Sequence, residues 1–133
     1  MKMIYIDSNI FLYPILENSG RANKSKEILL KVVKSEIEAC TSTLSWDEIT
    51  KITKKYFGKE RAAIEGEKFL NFPNLRMISA TKEILTKAQE IFEKENLNPR
   101  DSIHYSTALS QKAEKIATFD KDFKKIENIK IIP

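Results

Sequence analysis

Residues 3–9, Met3-Ile4-Tyr5-Ile6-Asp7-Ser8-Asn9, carry the reading on which the fold turns. Four apolar or aromatic residues run without polar alternation, as in a strand buried on both faces, and stop at a carboxylate. Asp7 therefore marks a strand's C-terminal end. A carboxylate there loses several kcal/mol of hydration unless donors or cations compensate it, so a purely structural role for Asp7 is hard to sustain.

Working outward, apolar residues at Ala22, Ile28, Leu29, Val32 and Val33 with lysines between them predict an amphipathic helix over 22–33. Small and β-branched residues suit a strand over 38–44, although so short a stretch also fits continued helix. Ser45 and Glu48 match a capping box and start a helix near Trp46, which Gly58 ends or bends. A further helix spans 60–70. Pro73-Asn74 then precedes a third strand, Leu75 to Ile78, and Thr81 caps a helix whose stripe is Ile84, Leu85, Ala88, Ile91 and Phe92. After the break at Asn98-Pro99-Arg100, Asp101 opens a helix to about Lys112. Strands are expected over 115–118 and 129–132, with a turn or single helical turn at 120–124. Strands alternating with helices imply an α/β fold: a mainly parallel sheet covered on both faces, with no linker or repeat to divide residues 1–133 into more than one domain.

Composition narrows the chemistry. No run approaches the roughly 18 apolar residues of a membrane span and the N-terminal apolar stretch is too short for a signal peptide, so a cytoplasmic protein is expected. Cys40 is the only cysteine and His104 the only histidine, which excludes an intrachain disulfide and Cys- or His-rich metal sites. Any bound metal is then held by oxygen, which selects Mg²⁺ or Mn²⁺. Lys and Arg number 23 against 19 acidic residues, an excess that suits a polyanionic partner and equally a heat-adapted surface.

The aspartates are distributed unlike the glutamates. Of five, Asp7, Asp101, Asp120 and Asp122 lie where an apolar run stops or a helix starts, whereas most of the fourteen glutamates are solvated charge on Lys-rich stretches. In an open parallel sheet the ligand crevice lies beyond the strands' C-terminal ends. Asp7 and Asp120 both follow strands closely. Glu48 begins a helix after a strand, while Asp101 opens a helix before one and joins the cluster only if the fold brings it round. Taken singly, capping explains Glu48 and Asp101, and turn formation explains Asp120 and Asp122; jointly, with Asp7, they point to a metal site.

Tyr5-Ile-Asp7-Ser-Asn9-Ile-Phe-Leu-Tyr13, Leu44-Ser-Trp-Asp-Glu48-Ile, Asp101-Ser-Ile-His104-Tyr-Ser-Thr-Ala108-Leu and Ala117-Thr118-Phe-Asp120-Lys-Asp-Phe123 resemble, in this order, the PIN-domain ribonucleases. The compact length is most like the VapC type, the toxin half of prokaryotic toxin–antitoxin pairs. The resemblance implies a three-layer α/β/α sandwich in which Asp7, Glu48, Asp101 and Asp120 are catalytic and hold Mg²⁺ or Mn²⁺. It also implies that Asn9 and Thr118 support those ligands, that RNA is the substrate, and that a homodimer and a cognate antitoxin are the protein partners. Asp122 either assists a second metal or caps the turn. His104, one turn after Asp101, either approaches the pocket or packs among the helices. Lys51, Lys54, Lys55, Lys59 and Arg61 form either an RNA-gripping group or a solvated face. Trp46, Ile49, Ile52, Tyr56 and Phe57 are either core or a docking patch.

Three other readings compete. A phosphoacceptor receiver domain needs an aspartate after the third strand, where Ile78-Ser79-Ala80 stands, and an acidic pair near the N-terminus. An Asp-x-Asp phosphatase needs a second acid where Asn9 stands. A catalytically idle PIN fold that only binds RNA or protein is the remaining alternative, and retention of all four acids argues against it.

Overall fold

The computed structural model describes residues 2–133, so Met1, the first residue of the expected domain, lies outside the described part. Five strands form one all-parallel sheet in the order β3-β2-β1-β4-β5: β1 (Met3–Ile6), β2 (Glu38–Ser42), β3 (Leu75–Ile78), β4 (Lys115–Ala117) and β5 (Lys130–Ile132). The chain starts in the middle of the sheet, builds two strands to one side, and crosses to the other after β3. The reversal of strand order therefore falls between β1 and β4.

Side chains alternate across each strand, and the sheet sorts them into two cores. Ile4, Ile6, Ala39 and Ala117 face one side, joined there by Ile10 and Phe11 of α1 (Ser8–Leu16), Val32 of α2 (Gly20–Val33), Ile49 of α3 (Leu44–Phe57) and Phe69 of α4 (Lys59–Leu70). Tyr5, Cys40 and Ile116 face the other. Ile91 of α5 (Lys82–Lys94) and Tyr105 and Ala108 of α6 (Pro99–Ser110) cover them, with Phe123 of a 3₁₀ turn (Lys121–Lys125). The expected α/β/α sandwich is thus present, with four helices on one face and two on the other.

Three local readings change. The pattern assigns no element to residues 8–16, yet they form α1, whose N-cap is Asp7 and which carries Pro14 inside it. Helical periodicity is masked there because Ile10 to Leu12 are all buried. The capping box also fails: α3 starts at Leu44 without a side-chain cap, Ser45 Oγ instead meets Thr41 Oγ1 at 2.9 Å, and Glu48 turns inward to His104. Asp101 is not a cap either. Asn98 precedes α6, Pro99 takes its first position, and Asp101 lies in the first turn.

Gly58 joins α3 to α4 with φ 90°, a left-handed conformation that glycine adopts without steric cost. Gly66 matters for a different reason, because a Cβ built on it falls 2.8 Å from Thr50 Cγ2 and 3.0 Å from Trp46 Nε1 on α3. Overpacking of this kind costs about 1–3 kcal/mol, against about 1 kcal/mol regained in helix propensity. Gly66→Ala is therefore expected to destabilise the protein by about 1 kcal/mol on balance. Urea denaturation checks this; an unchanged or raised midpoint would show that the helices part freely.

Candidate metal centre

Asp7, directly after β1, and Thr118, directly after β4, meet across the reversal of strand order, where open parallel sheets place their ligands. Asp7 is buried and heavily hydrogen-bonded. Its Oδ1 accepts from the Ser8 amide at 2.7 Å, and its Oδ2 accepts from Thr118 Oγ1 at 2.7 Å and Asn9 Nδ2 at 3.1 Å. Thr118 Oγ1 in turn accepts from the Asp120 amide at 2.9 Å, and Asn9 Oδ1 accepts from the Phe119 amide at 3.3 Å. These bonds lock the chain after β4 to the start of α1. Burial nevertheless holds the Asp7 carboxyl above its usual range, even against the favourable pull of His104 and Thr118.

Asp101 reaches the same edge because α6 must run back against the strands in order to feed β4 from the opposite end. One carboxylate oxygen from each of Asp101, Asp120 and Asp122 lies within 4.8 Å of the other two. Asp120 also caps the 3₁₀ turn, accepting from the Asp122 amide at 2.9 Å. Its turn role and its place in the cluster are thus compatible. Asp122 is brought into the cluster and is also 3.5 Å from Lys125 Nζ. Burial, then the charges of Asp120 and Asp7, push the Asp101 carboxyl up to about 7. Carboxylate oxygens gathered this closely are a donor set suited to a hard divalent cation, which would relieve the repulsion that Asp101 meets there.

Glu48 joins Asp7 through His104. Its Oε1 is 2.5 Å from His104 Nε2, and that nitrogen is 3.6 Å from Asp7 Oδ1. His104 is fully buried, and its Nδ1 is 2.5 Å from the Tyr5 hydroxyl. Both alternatives for this residue therefore hold at once: it packs in the interior and it reaches the acidic pocket. Burial opposes its charge, but Asp7, Glu48 and Asp101 together raise its pKa. Burial likewise opposes ionisation of Glu48, and its hydrogen bond with His104 and that group's charge bring its pKa down. Tyr5, whose hydroxyl closes this chain of bonds, carried no signal in the sequence beyond its place in a buried strand.

At the rim, Arg100 and Asp47, the residues just before Asp101 and Glu48, form an ion pair at 3.3 Å. Lys51, Lys54 and Lys59 line a groove of about 430 Å³ between α3 and α4 with Trp46 and Ala62. Arg61 is tied to Glu65 at 3.1 Å. The apolar stripe divides: Ile49 is core, whereas Trp46, Tyr56 and Phe57 are exposed. No helix among the described residues is long and apolar enough to cross a membrane.

A stretch of Methanocaldococcus jannaschii ribonuclease VapC6 is 36% identical over 66 residues, half of this chain and 43% of that protein. Ribonuclease VapC2 of the same organism is 28% identical over 97% of this chain and 92% of its own length. The fold matches Mycobacterium tuberculosis VapC20, a sarcin–ricin-loop-cleaving toxin, with a TM-score of 0.80 at 16% identity over 98% of this chain and 99% of that one. It also matches VapBC2 of Rickettsia felis bound to a promoter DNA fragment, with a TM-score of 0.71 at 18% identity over 97% and 96% of the two chains. The family model of the PIN domain matches residues 4–129, nearly the whole described chain, and the protein belongs to the PIN-domain family.

Proposed function

We propose that this chain is a metal-dependent endoribonuclease acting as the toxin of a VapBC-type pair in the cytoplasm. The observation that carries the reading is the gathering of Asp101, Asp120 and Asp122 beside Asp7 at the sheet's reversal point, where burial and then the charges of Asp120 and Asp7 push the Asp101 carboxyl up to about 7. Likeness to proteins named ribonuclease supports RNA as the substrate. Residues 1–133 would act as one domain.

Asp7, Glu48, Asp101 and Asp120 would hold Mg²⁺ or Mn²⁺, with Asp122 as a further ligand. A bound divalent ion lowers the pKa of water and neutralises charge on a phosphodiester, chemistry that needs no histidine base. The chain's own part is to fix the donors. Thr118 and Asn9 orient Asp7, and Thr118 ties the Asp120 backbone to it. Losing such support commonly weakens metal affinity or activity about 10–100-fold. An antitoxin partner, supported by structures of like fold that are toxin–antitoxin complexes, and a homodimer complete the reading. The exposed Trp46, Tyr56 and Phe57 supply apolar surface for such contacts.

The test is to incubate purified protein with a mixed RNA pool and Mg²⁺, Mn²⁺ or chelator, beside Asp7→Asn. Cleavage that requires metal and disappears in the variant is expected. A folded, partner-free protein that binds RNA without cutting it would instead favour the idle PIN module. The lysine groove yields a separate expectation. Changing Lys51, Lys54 and Lys59 to Gln should weaken RNA binding across sequences and reduce the salt slope of log K by about 1 for each of these lysines that pairs with a phosphate. Fluorescence anisotropy at several salt concentrations measures it. An unchanged slope would assign the lysines to solvent.

A further inference from the structure

The only histidine of the chain lies inside the protein, with both ring nitrogens committed. The backbone amide of Ser42 donates to the Tyr5 hydroxyl at 3.1 Å, so the hydroxyl's own hydrogen is free to point at Nδ1 of His104, 2.5 Å away. In a neutral ring this places the remaining hydrogen on Nε2. In a charged ring Nε2 carries one as well. Either way Nε2 is a donor, and it faces Glu48 Oε1 at 2.5 Å, with Asp7 Oδ1 at 3.6 Å.

Resting on the metal-site reading above, we infer that His104 is a positioning residue, neither base nor ligand: Tyr5 orients the ring, and Nε2–H holds Glu48 in the attitude in which it serves the metal. A nitrogen that carries hydrogen has no lone pair for a cation or for a proton of water. The elements involved make the arrangement rigid. Tyr5 belongs to the central strand, His104 to α6 and Glu48 to α3, so the chain of bonds starts in the sheet, passes through the helical layer on one face and ends on a helix of the other. Among the described residues no backbone amide anchors Glu48 as the Ser8 amide anchors Asp7; its carboxylate is held chiefly by this imidazole, with the Ser8 side chain as a lesser partner.

Because the chain has one histidine, selective ¹⁵N labelling gives a single ring to observe. The full-length wild type is expected to show a protonated Nε2 whose signal moves in Glu48→Gln. Mn²⁺ binding, measured by calorimetry without RNA, should weaken roughly ten- to hundredfold in Tyr5→Phe. The loss should vanish when Tyr5→Phe is made in the Glu48→Gln background, because a double-mutant cycle isolates an effect transmitted through Glu48. His104→Gln, which keeps an N–H donor, should retain more affinity than His104→Leu. An unprotonated Nε2, or an equal loss from Tyr5→Phe in both backgrounds, overturns the inference. So does Mn²⁺ binding that Asp101→Asn abolishes and Glu48→Gln leaves intact, an outcome that keeps the metal site. Absence of Mn²⁺ binding in the wild type overturns the site reading itself.

Discussion

Asp101→Asn is expected to abolish metal-dependent RNA cleavage while raising the melting temperature of the metal-free protein at pH 8. The two effects have one cause. Asp101 is buried against Asp120 and Asp7, and at pH 8 its carboxyl, with a pKa of about 7, is mostly ionised in their field. Asparagine fills the same volume without the charge, so the metal-free fold loses a repulsion. On the metal-site reading proposed above, the same change removes a ligand charge from the cation. A loss of about 10³-fold in cleavage corresponds to about 4 kcal/mol of transition-state stabilisation, the scale attributed to a metal acting on a phosphoryl oxygen. Melting curves in chelator should place the variant a few degrees above wild type at pH 8, with the gap closing at pH 5, where wild-type Asp101 keeps its proton. With saturating Mn²⁺ the order should reverse. A variant that melts lower at pH 8 in chelator, or still cuts RNA with Mn²⁺, would remove Asp101 from the site.

The second large effect is the coupling of metal affinity to pH. Below about pH 7 a cation must displace the Asp101 proton, so Mn²⁺ affinity should rise about tenfold per pH unit between about pH 5 and 6.5 and level off above 7. Isothermal titration calorimetry in buffers of different ionisation enthalpy would report uptake of metal with release of about one proton. A flat affinity over that range would mean that Asp101 is already ionised and the cluster is looser than it looks.

Stability of the metal-free protein should move the opposite way. Asp101 and Asp7 have folded pKa values above their ordinary range, so each favours the fold below the ordinary value of 3.8, and that contribution is lost as pH rises through the folded value. His104 also has a raised pKa. Its contribution is present below 6.5 and is lost at higher pH. Glu48 runs the other way, with a lowered pKa whose contribution is present above 4.5 and lost on acidification. In chelator the melting temperature should therefore fall from about pH 5 to pH 8, and Mn²⁺ should restore it.

Much of this arrangement is legible in the chain alone. The uninterrupted apolar run before Asp7 and the alternation of strand and helix patterns establish a parallel sheet, because strands buried on both faces have no polar side to show. Position relative to those strands then separates Asp7 and Asp120 from the Lys-rich surface. What stayed hidden has a common reason. Helix α1 escaped because a segment buried on several sides loses the polar interruptions from which helical period is read. Glu48 read equally well as half of a capping box, since sequence spacing does not say which way a side chain turns.

The sequence by itself determined the fold class, the oxygen character of any metal site and the acids able to build it, because burial periodicity and residue chemistry are local properties. Only the tertiary structure decided how those acids divide. Asp101, Asp120 and Asp122 gather together, Asp7 is anchored by Ser8, Asn9 and Thr118, and Glu48 is tied to His104 and through it to Tyr5. Tyr5 and His104 are 99 residues apart, and their meeting depends on α6 returning across the sheet beside β1. Contacts of that range are set by packing of whole layers, which no window of sequence contains.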